Sequence, residues 1–251
     1  MSLNVDPAAD PVETLAWDSE FFNLRIGRVR EHRLHAQGMQ TVLESCAAKK
    51  LECVYFLVDT DDSQTSRLAE DNGFHCVDIR LTLERSIRGY QPSFPASGQV
   101  HVRSWIEADL PALTQIAGSS YRLSRFYSDP CFSRQKCDEL YETWIEKSCR
   151  GYADLVLTAE HDGAPAGFIT GHLREAGKTG EIGLLGIHEA ARGLGVGTQL
   201  VQAALIWFAR QGAASCQVVT QGRNVAAQRL YQRCGFLSSS VQLWYHWWFQ
   251  G

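Results

Sequence analysis

The sequence predicts an α/β fold built on a mixed sheet, and three observations carry that expectation. Strand-like and helix-like segments alternate along the chain, which favours a sheet covered by helices. One pair of segments, Leu155–Ala159 and Ala166–Leu173, closes around the turn HDGAP and reads as an antiparallel hairpin. A strand–helix–strand unit also reads as occurring twice, through duplication or through chance similarity. RLAEDNGF at 67–74 aligns with RLYQRCGF at 229–236, an offset of 162 residues. The same offset lays Tyr55–Val58 on Gln217–Thr220, and Ile79 and Leu81 on Val241 and Leu243.

The 251 residues suit one large domain or two modest ones. With 45% apolar and 21% charged residues, the chain has the composition of a soluble protein with a sizeable core. No apolar run reaches the ~18 residues a membrane span needs. The opening MSLNVDPAADPVET has neither a basic nor an apolar region of the kind a secretion signal requires, so a cytoplasmic protein is expected. Eight cysteines include no CxxC pair and no Cys/His cluster of zinc spacing. Reduced thiols and no metal are expected, with a catalytic cysteine as a minor alternative.

In order, the N-terminal copy of the repeat reads as a strand, a loop, a helix and a Gly–Phe turn. An alternating strand through Val77, Ile79, Leu81 and Leu83 follows. Residues 86–99, SIRGYQPSFPASGQ, read as a linker, which places a domain boundary near residue 97 and gives domains 1–97 and 98–251. Beyond it come a strand at His101–Trp105 and a helix at Glu107–Gly118, with Pro111 tolerated in the first turn. An irregular stretch, SSYRLSRFYSDPCFS, leads to a helix at Gln135–Cys149 with Leu140, Trp144 and Ile145 on its buried side. After the hairpin, Glu181–His188 is a strand and Leu194–Gln211 a long helix. Strand 217–220, helix 224–234 and strand 237–249 complete the second copy.

The net charge of −4 argues against a general nucleic-acid binder, yet the charge is unevenly placed. No Asp or Glu follows Glu189, and five arginines do, so the last segment carries +5 and the rest −9. That balance suits a small anionic ligand. The same segment opens with R-G-L-G-V-G at 192–197, between a strand and a helix. Glycines there let backbone N–H groups converge, and the helix N-terminus adds partial positive charge, so the turn is suited to phosphate. A plain glycine-rich turn is the bland alternative. A Walker loop is excluded because no Gly-Lys-Ser/Thr follows. A dinucleotide fold is disfavoured, since Thr198 replaces the third glycine and no acidic residue lies further on.

The pattern E-I-x-x-L-x-I followed by R-x-x-G-x-G is similar to the acetyl-CoA motif of the GNAT N-acetyltransferases. N-x-x-A-x-x-x-Y at Asn224, Ala227 and Tyr231 resembles the same family's following helix. The resemblance implies a GNAT fold in 98–251, preceded by a truncated GNAT-like domain in 1–97, and acetyl-CoA as cosubstrate. It implies that the backbone of Leu185 and Ile187 holds the pantetheine arm. Arg192, Gly193, Leu194, Gly195, Val196, Gly197 and Thr198 would hold the pyrophosphate, and Asn224 the cofactor beside them. Tyr231 would be the general acid at the thioester sulfur. Glu181 stands where many relatives carry a catalytic glutamate, though a solvated strand-end carboxylate reads equally well; His172 and His188 are weaker candidates for the base. At reference values a phenol near ~10 and a thiol near ~8.5 make full proton transfer uphill, so the tyrosine is either acidified or mainly a hydrogen-bond donor.

LAWDSEFFNLRIGRV and the segment 124–151 further resemble the TDP-fucosamine acetyltransferases, sugar-nucleotide enzymes of surface-polysaccharide synthesis. That likeness implies acetylation of the 4-amino group of dTDP-4-amino-4,6-dideoxy-D-galactose. A nucleotide sugar needs cations and flat apolar faces, and Tyr121, Arg125 and Phe126 are the substrate-binding candidates; anchoring of this loop to the core is the alternative. The aromatic-rich ending WYHWWFQG departs from the pattern and leaves the acceptor open. Another small amine, a peptide N-terminus, or a non-catalytic acyl-CoA-binding module are the competing readings. No nucleic-acid or membrane partner is expected, and free sheet edges offer a route to a homodimer.

Overall fold

A computed structural model describes residues 10–91 and 99–249. The domain boundary expected near residue 97 lies outside the described residues, as does most of the N-terminal stretch read for a secretion signal. The chain forms two compact units, one taking the residues up to Arg80 and those from Val241 on, the other Leu81–Ser240. The elements in chain order are β1 (Val12–Thr14), α1 (Ala16–Phe22), β2 (Ile26–Val29), α2 (Ala36–Ala48), β3 (Cys53–Asp59), α3 (Ser63–Asp71) and β4 (His75–Ser86). They continue with β5 (Val100–Ser104), α4 (Leu110–Ser120), α5 (Arg125–Ser128), α6 (Arg134–Lys147), β6 (Leu155–His161), β7 (Ala164–Arg174) and β8 (Thr179–Ile187). Last come α7 (Val196–Arg210), β9 (Ser215–Gln221), α8 (Val225–Arg233) and β10 (Leu237–Trp248). The stretch read as irregular contains the single turn α5, and the expected hairpin is β6–β7.

The repeat is structural. β3, α3 and β4 coincide end for end with β9, α8 and β10 at the offset of 162. The same local chemistry starts and stops both helices. Asp62 caps α3 by accepting from the N–H of Gln64 and Thr65, and Asn224 caps α8 by accepting from Ala227 N–H at 3.1 Å. Each helix then turns through a left-handed glycine, Gly73 (φ +81°) or Gly235 (φ +80°), into a buried Phe74 or Phe236. The sheets do not follow the order of the sequence. In the first unit the strand beside β3 is β10, antiparallel, with Tyr245 opposite Phe56 and His246 opposite Tyr55. In the second unit the strand beside β9 is β4. Each copy therefore closes its sheet with the other copy's last strand.

The first unit's core gathers Met39 and Val42 of α2, Phe56 of β3, Phe74 and Tyr245. β3 is almost wholly buried, which matches its unbroken apolar run CVYFLVD. The second unit orders its strands β4-β9-β8-β7-β6-β5. α7 packs on one face through Leu200, Val201, Ala204, Leu205 and Phe208. Glycines set that distance, because a Cβ at Gly171 or Gly180 would lie 2.6 or 2.5 Å from the Phe208 ring. α4 approaches the opposite face just as closely, with a Cβ at Gly186 falling 3.0 Å from Ile116. On α6, Leu140 and Ile145 are buried as expected, while Trp144 is half-exposed and edge-on to Tyr141.

Candidate active site

The site begins with an irregularity in β8. Along β7–β8, Ile169 faces Leu185 but Gly171 faces Ile182, so β8 carries one residue more than its partner. The Thr170 hydroxyl accepts a hydrogen bond from Leu184 N–H at 2.8 Å and holds this bulge. A bulge re-aims the side chains beyond it. Before it, Gly180 faces Phe208 of α7; after it, Ile187 reaches Gly197 of α7, so the side turned to α7 changes from even to odd positions. Glu181 therefore faces away from α7, whereas Leu185 and Ile187 face towards it. Pairing of β8 with β9 stops at Ile182–Val218, and the main chain from Gly183 to Ile187 is left unpaired on that side.

The splayed strand, the glycine turn and the start of α8 surround one cavity of about 650 Å³. Leu185 and Ile187 form one wall, Arg192, Gly193, Gly195, Val196, Gly197 and Thr198 another, and Asn224 with Ala227 a third. Gly193 (φ +81°) and Gly195 (φ +84°) adopt the left-handed conformation that other residues resist. Gly197 serves packing instead: a Cβ there would lie 2.8 Å from Ile187 and 3.0 Å from Leu230. The N–H groups of Val196, Gly197 and Thr198 open α7 and have no intrahelical acceptor; that of Gln199 is the first to bond back, to Gly195. Arg192 and Arg233 both line the cavity and make no ion pair among the described residues, while lining Arg122 pairs with Asp138 at 3.4 Å. These features form an anion cradle beside an unpaired strand, which fits a pyrophosphate joined to an amide-containing arm.

The Asn224 side chain is the α8 cap, a task that the motif alone did not disclose. Tyr231 is 5% exposed and packs edge-on against Phe236 rather than forming the cavity wall. Burial pushes its phenol above the ordinary value. Of the two options open at the sequence level, burial opposes acidification and favours a phenol that stays protonated. The neighbouring Cys234 thiol is pushed by burial to about 11, so it supplies no thiolate at neutral pH. All eight cysteines are free.

The remaining candidates fall outside the cavity wall. Leu194 is 46% exposed at the tip of the turn. Glu181 pairs with Arg174 at 2.7 Å and stands opposite His172, which burial holds below its usual pKa and hence neutral at pH 7. His188 caps the turn Glu189–Ala191, accepting from Ala190 N–H at 3.3 Å. Phe126 is 2% exposed against Phe132, with the Arg125 guanidinium 4.5 Å above its ring, so this part of the loop is anchored to the core. Tyr121 stacks on Tyr141. Sequence reasoning missed Ser119, Ser120, Leu123, Ala191, Ala226 and Leu230, which carry no motif, and Arg233, which the carboxylate-free segment signalled.

Residues 114–236 match the model of the acetyltransferase (GNAT) family. The chain belongs to that family. This acetyltransferase is 28% identical to dTDP-fucosamine acetyltransferase of Escherichia coli over 95% of its own chain and 98% of that protein. It is 27% identical to the spore coat polysaccharide biosynthesis protein SpsD of Bacillus subtilis, over 56% of this chain and 48% of that one. A GNAT structure from Sphaerobacter thermophilus superposes with a TM-score of 0.67 at 17% identity, covering 94% of this chain and 75% of that one, and shares the fold. The protein is an acetyl-CoA-dependent N-acetyltransferase. No helix among the described residues is long and apolar enough to cross a membrane.

In the first unit of the acetyltransferase, the loop before α2 lies bonded to the equivalent helix α3. Thr65 occupies the position of Ala227 in the repeat and is fully buried. Its hydroxyl accepts from Leu34 N–H at 2.7 Å and lies 3.0 Å from the Leu34 carbonyl, drawing the loop before α2 onto α3. Calorimetric titration with acetyl-CoA should therefore give one site per chain. A stoichiometry of two would refute this expectation.

Proposed function

We propose that this acetyltransferase acetylates the 4-amino group of a nucleotide-linked amino sugar such as dTDP-4-amino-4,6-dideoxy-D-galactose. In this reading residues 98–251 form the catalytic domain and residues 1–97 a truncated copy without a cofactor site. The observation that carries it is the meeting of the glycine turn, the splayed half of β8 and the start of α8 around one cavity. The acceptor class draws support from the relative named as a dTDP-fucosamine acetyltransferase, which this chain spans almost end to end.

Bound acetyl-CoA supplies an acetyl group on a thioester. The amides of Gly193 to Thr198, with Arg192, hold its pyrophosphate, and the free main chain at Leu185 and Ile187 bonds the arm. The bulge brings two faces of β8 to one point: the cofactor comes from the α7 side, and the amine from the side of Glu181 and His172. Glu181 accepts the amine proton in this assignment, and Tyr231 donates a hydrogen bond to the departing sulfur. Arg122, held by Asp138 at the cavity edge, offers charge to the acceptor's diphosphate.

The test measures CoA-thiol release and product mass with dTDP- and UDP-linked 4-amino sugars, aminoglycosides and short peptides. Turnover confined to a dTDP-4-amino sugar is the expected result. Turnover on peptides alone would discard the sugar assignment and keep the chemistry.

A further inference from the structure

Tyr121 closes α4, and the residues on either side of it, Ser120 and Arg122, line the cofactor cavity. Its ring stacks on Tyr141 with centroids 4.2 Å apart and planes 11° from parallel. Its hydroxyl is buried and meets no partner at full hydrogen-bond geometry among the described residues. Leaving a buried hydroxyl unbonded costs free energy, and phenylalanine would keep the stack without that cost. The fold brings the oxygen to a particular place. Gly186 lets α4 lie directly on β8 at Ile116, and five residues further along the helix stands Tyr121. The polar groups acting on its hydroxyl there are the Tyr231 and Tyr141 phenols and the Leu185 backbone N–H.

Of these, Leu185 and Tyr231 bracket one atom of the substrate. The Leu185 main chain is read as holding the pantetheine arm and Tyr231 as facing the sulfur, so the acyl carbonyl oxygen lies at their junction. We propose that the Tyr121 hydroxyl donates a hydrogen bond to the acyl carbonyl oxygen of acetyl-CoA. The proposal rests on the acetyl-CoA reading of the cavity and adds a donor to it. In the transfer, the amine lone pair forms the N–C bond while the carbonyl π pair moves onto oxygen. That pair returns as the C–S bond breaks and its electrons leave on sulfur. The amine proton goes to the base, and the thiolate is met by Tyr231. Tyr121 exchanges no proton in net; it stabilises charge on the oxygen while that charge exists.

The test compares binding of acetyl-CoA with that of S-ethyl-CoA, a thioether without a carbonyl, to wild type and Tyr121→Phe, alongside thermal unfolding. Wild type should prefer acetyl-CoA by about three- to tenfold, the range of one hydrogen bond. Tyr121→Phe should lose that preference, keep its affinity for S-ethyl-CoA, and melt at the same or a higher temperature. With an amine acceptor its kcat should fall about 100-fold. An unchanged preference in the variant, or none in wild type, overturns the proposal. So does equal weakening of both ligands with a lowered Tm, which would mark a structural role. If wild type binds neither ligand, the acetyl-CoA reading itself fails, and this proposal with it.

Discussion

Tyr231→Phe should retain acetyl-CoA affinity within about threefold while kcat falls by about 100-fold or more, the lower range for a positioned proton donor. The phenyl ring keeps the edge-on contact with Phe236, so the loss would belong to the oxygen alone. Because burial raises the phenol's pKa, the activity should show no fall from Tyr231 ionisation below about pH 10. The tyrosine is protonated across that whole range, and deprotonation would first remove the donor above its ordinary value. Pre-steady-state measurement of CoA release at several pH values separates this from slow product release. Full activity in the variant would remove Tyr231 from the mechanism.

The largest effect on stability should come from Asp109→Ala. Asp109 is 3% exposed at the start of α4 and accepts four hydrogen bonds. Two come from the Arg103 guanidinium at 2.7 and 2.8 Å, one from Ile106 N–H at 2.9 Å, and one from the Thr158 hydroxyl at 3.0 Å. The carboxylate thus ties β5, β6 and α4 together, while Glu160 takes the other side of Arg103 at 2.6 Å. Removing one partner of such a pair leaves donors unsatisfied, at a cost of about 3 kcal/mol. Urea unfolding should show the midpoint falling with an unchanged slope. The Arg103 guanidinium holds the Asp109 carboxyl below the usual carboxylate range. A folded-state pKa depressed in this way contributes stability above the unfolded value near ~3.9, lost as pH falls through the lower folded value. The gap between wild type and Asp109→Ala should therefore be constant from pH 7 to about 5 and narrow below about 4. A loss under about 1 kcal/mol, or a gap that widens in acid, would sink the assignment.

Much of the site was legible because its chemistry is local. A left-handed turn needs Gly193 and Gly195 whatever surrounds them, and a helix start needs Asn224 or its equivalent Asp62. Both repeats end their helices with Gly–Phe for the same reason, and the offset of 162 read from eight residues extends to whole elements. No carboxylate follows Glu189, and Arg192 and Arg233 line the cavity with no ion pair among the described residues.

Other features depend on contacts between distant residues. Strict alternation places Glu181, Leu185 and Ile187 on one face of β8, and the bulge at Thr170–Leu184 separates them. No propensity encodes that extra residue; it exists because β7 and β8 meet out of step. Tyr121, Arg125 and Phe126 looked alike in an aperiodic loop. Packing buries Phe126 against Phe132 and sets the Tyr121 oxygen near Leu185. The choice of β10 as the partner of β3 was equally hidden, because backbone hydrogen bonds are the same for any strand. By itself, the sequence determined the turns, caps, periodicities and charge balance, which depend on residues a few positions apart. Tertiary structure alone decided which faces meet, which phenols are dry and which cleft stays open, because those follow from close packing of side chains remote along the chain.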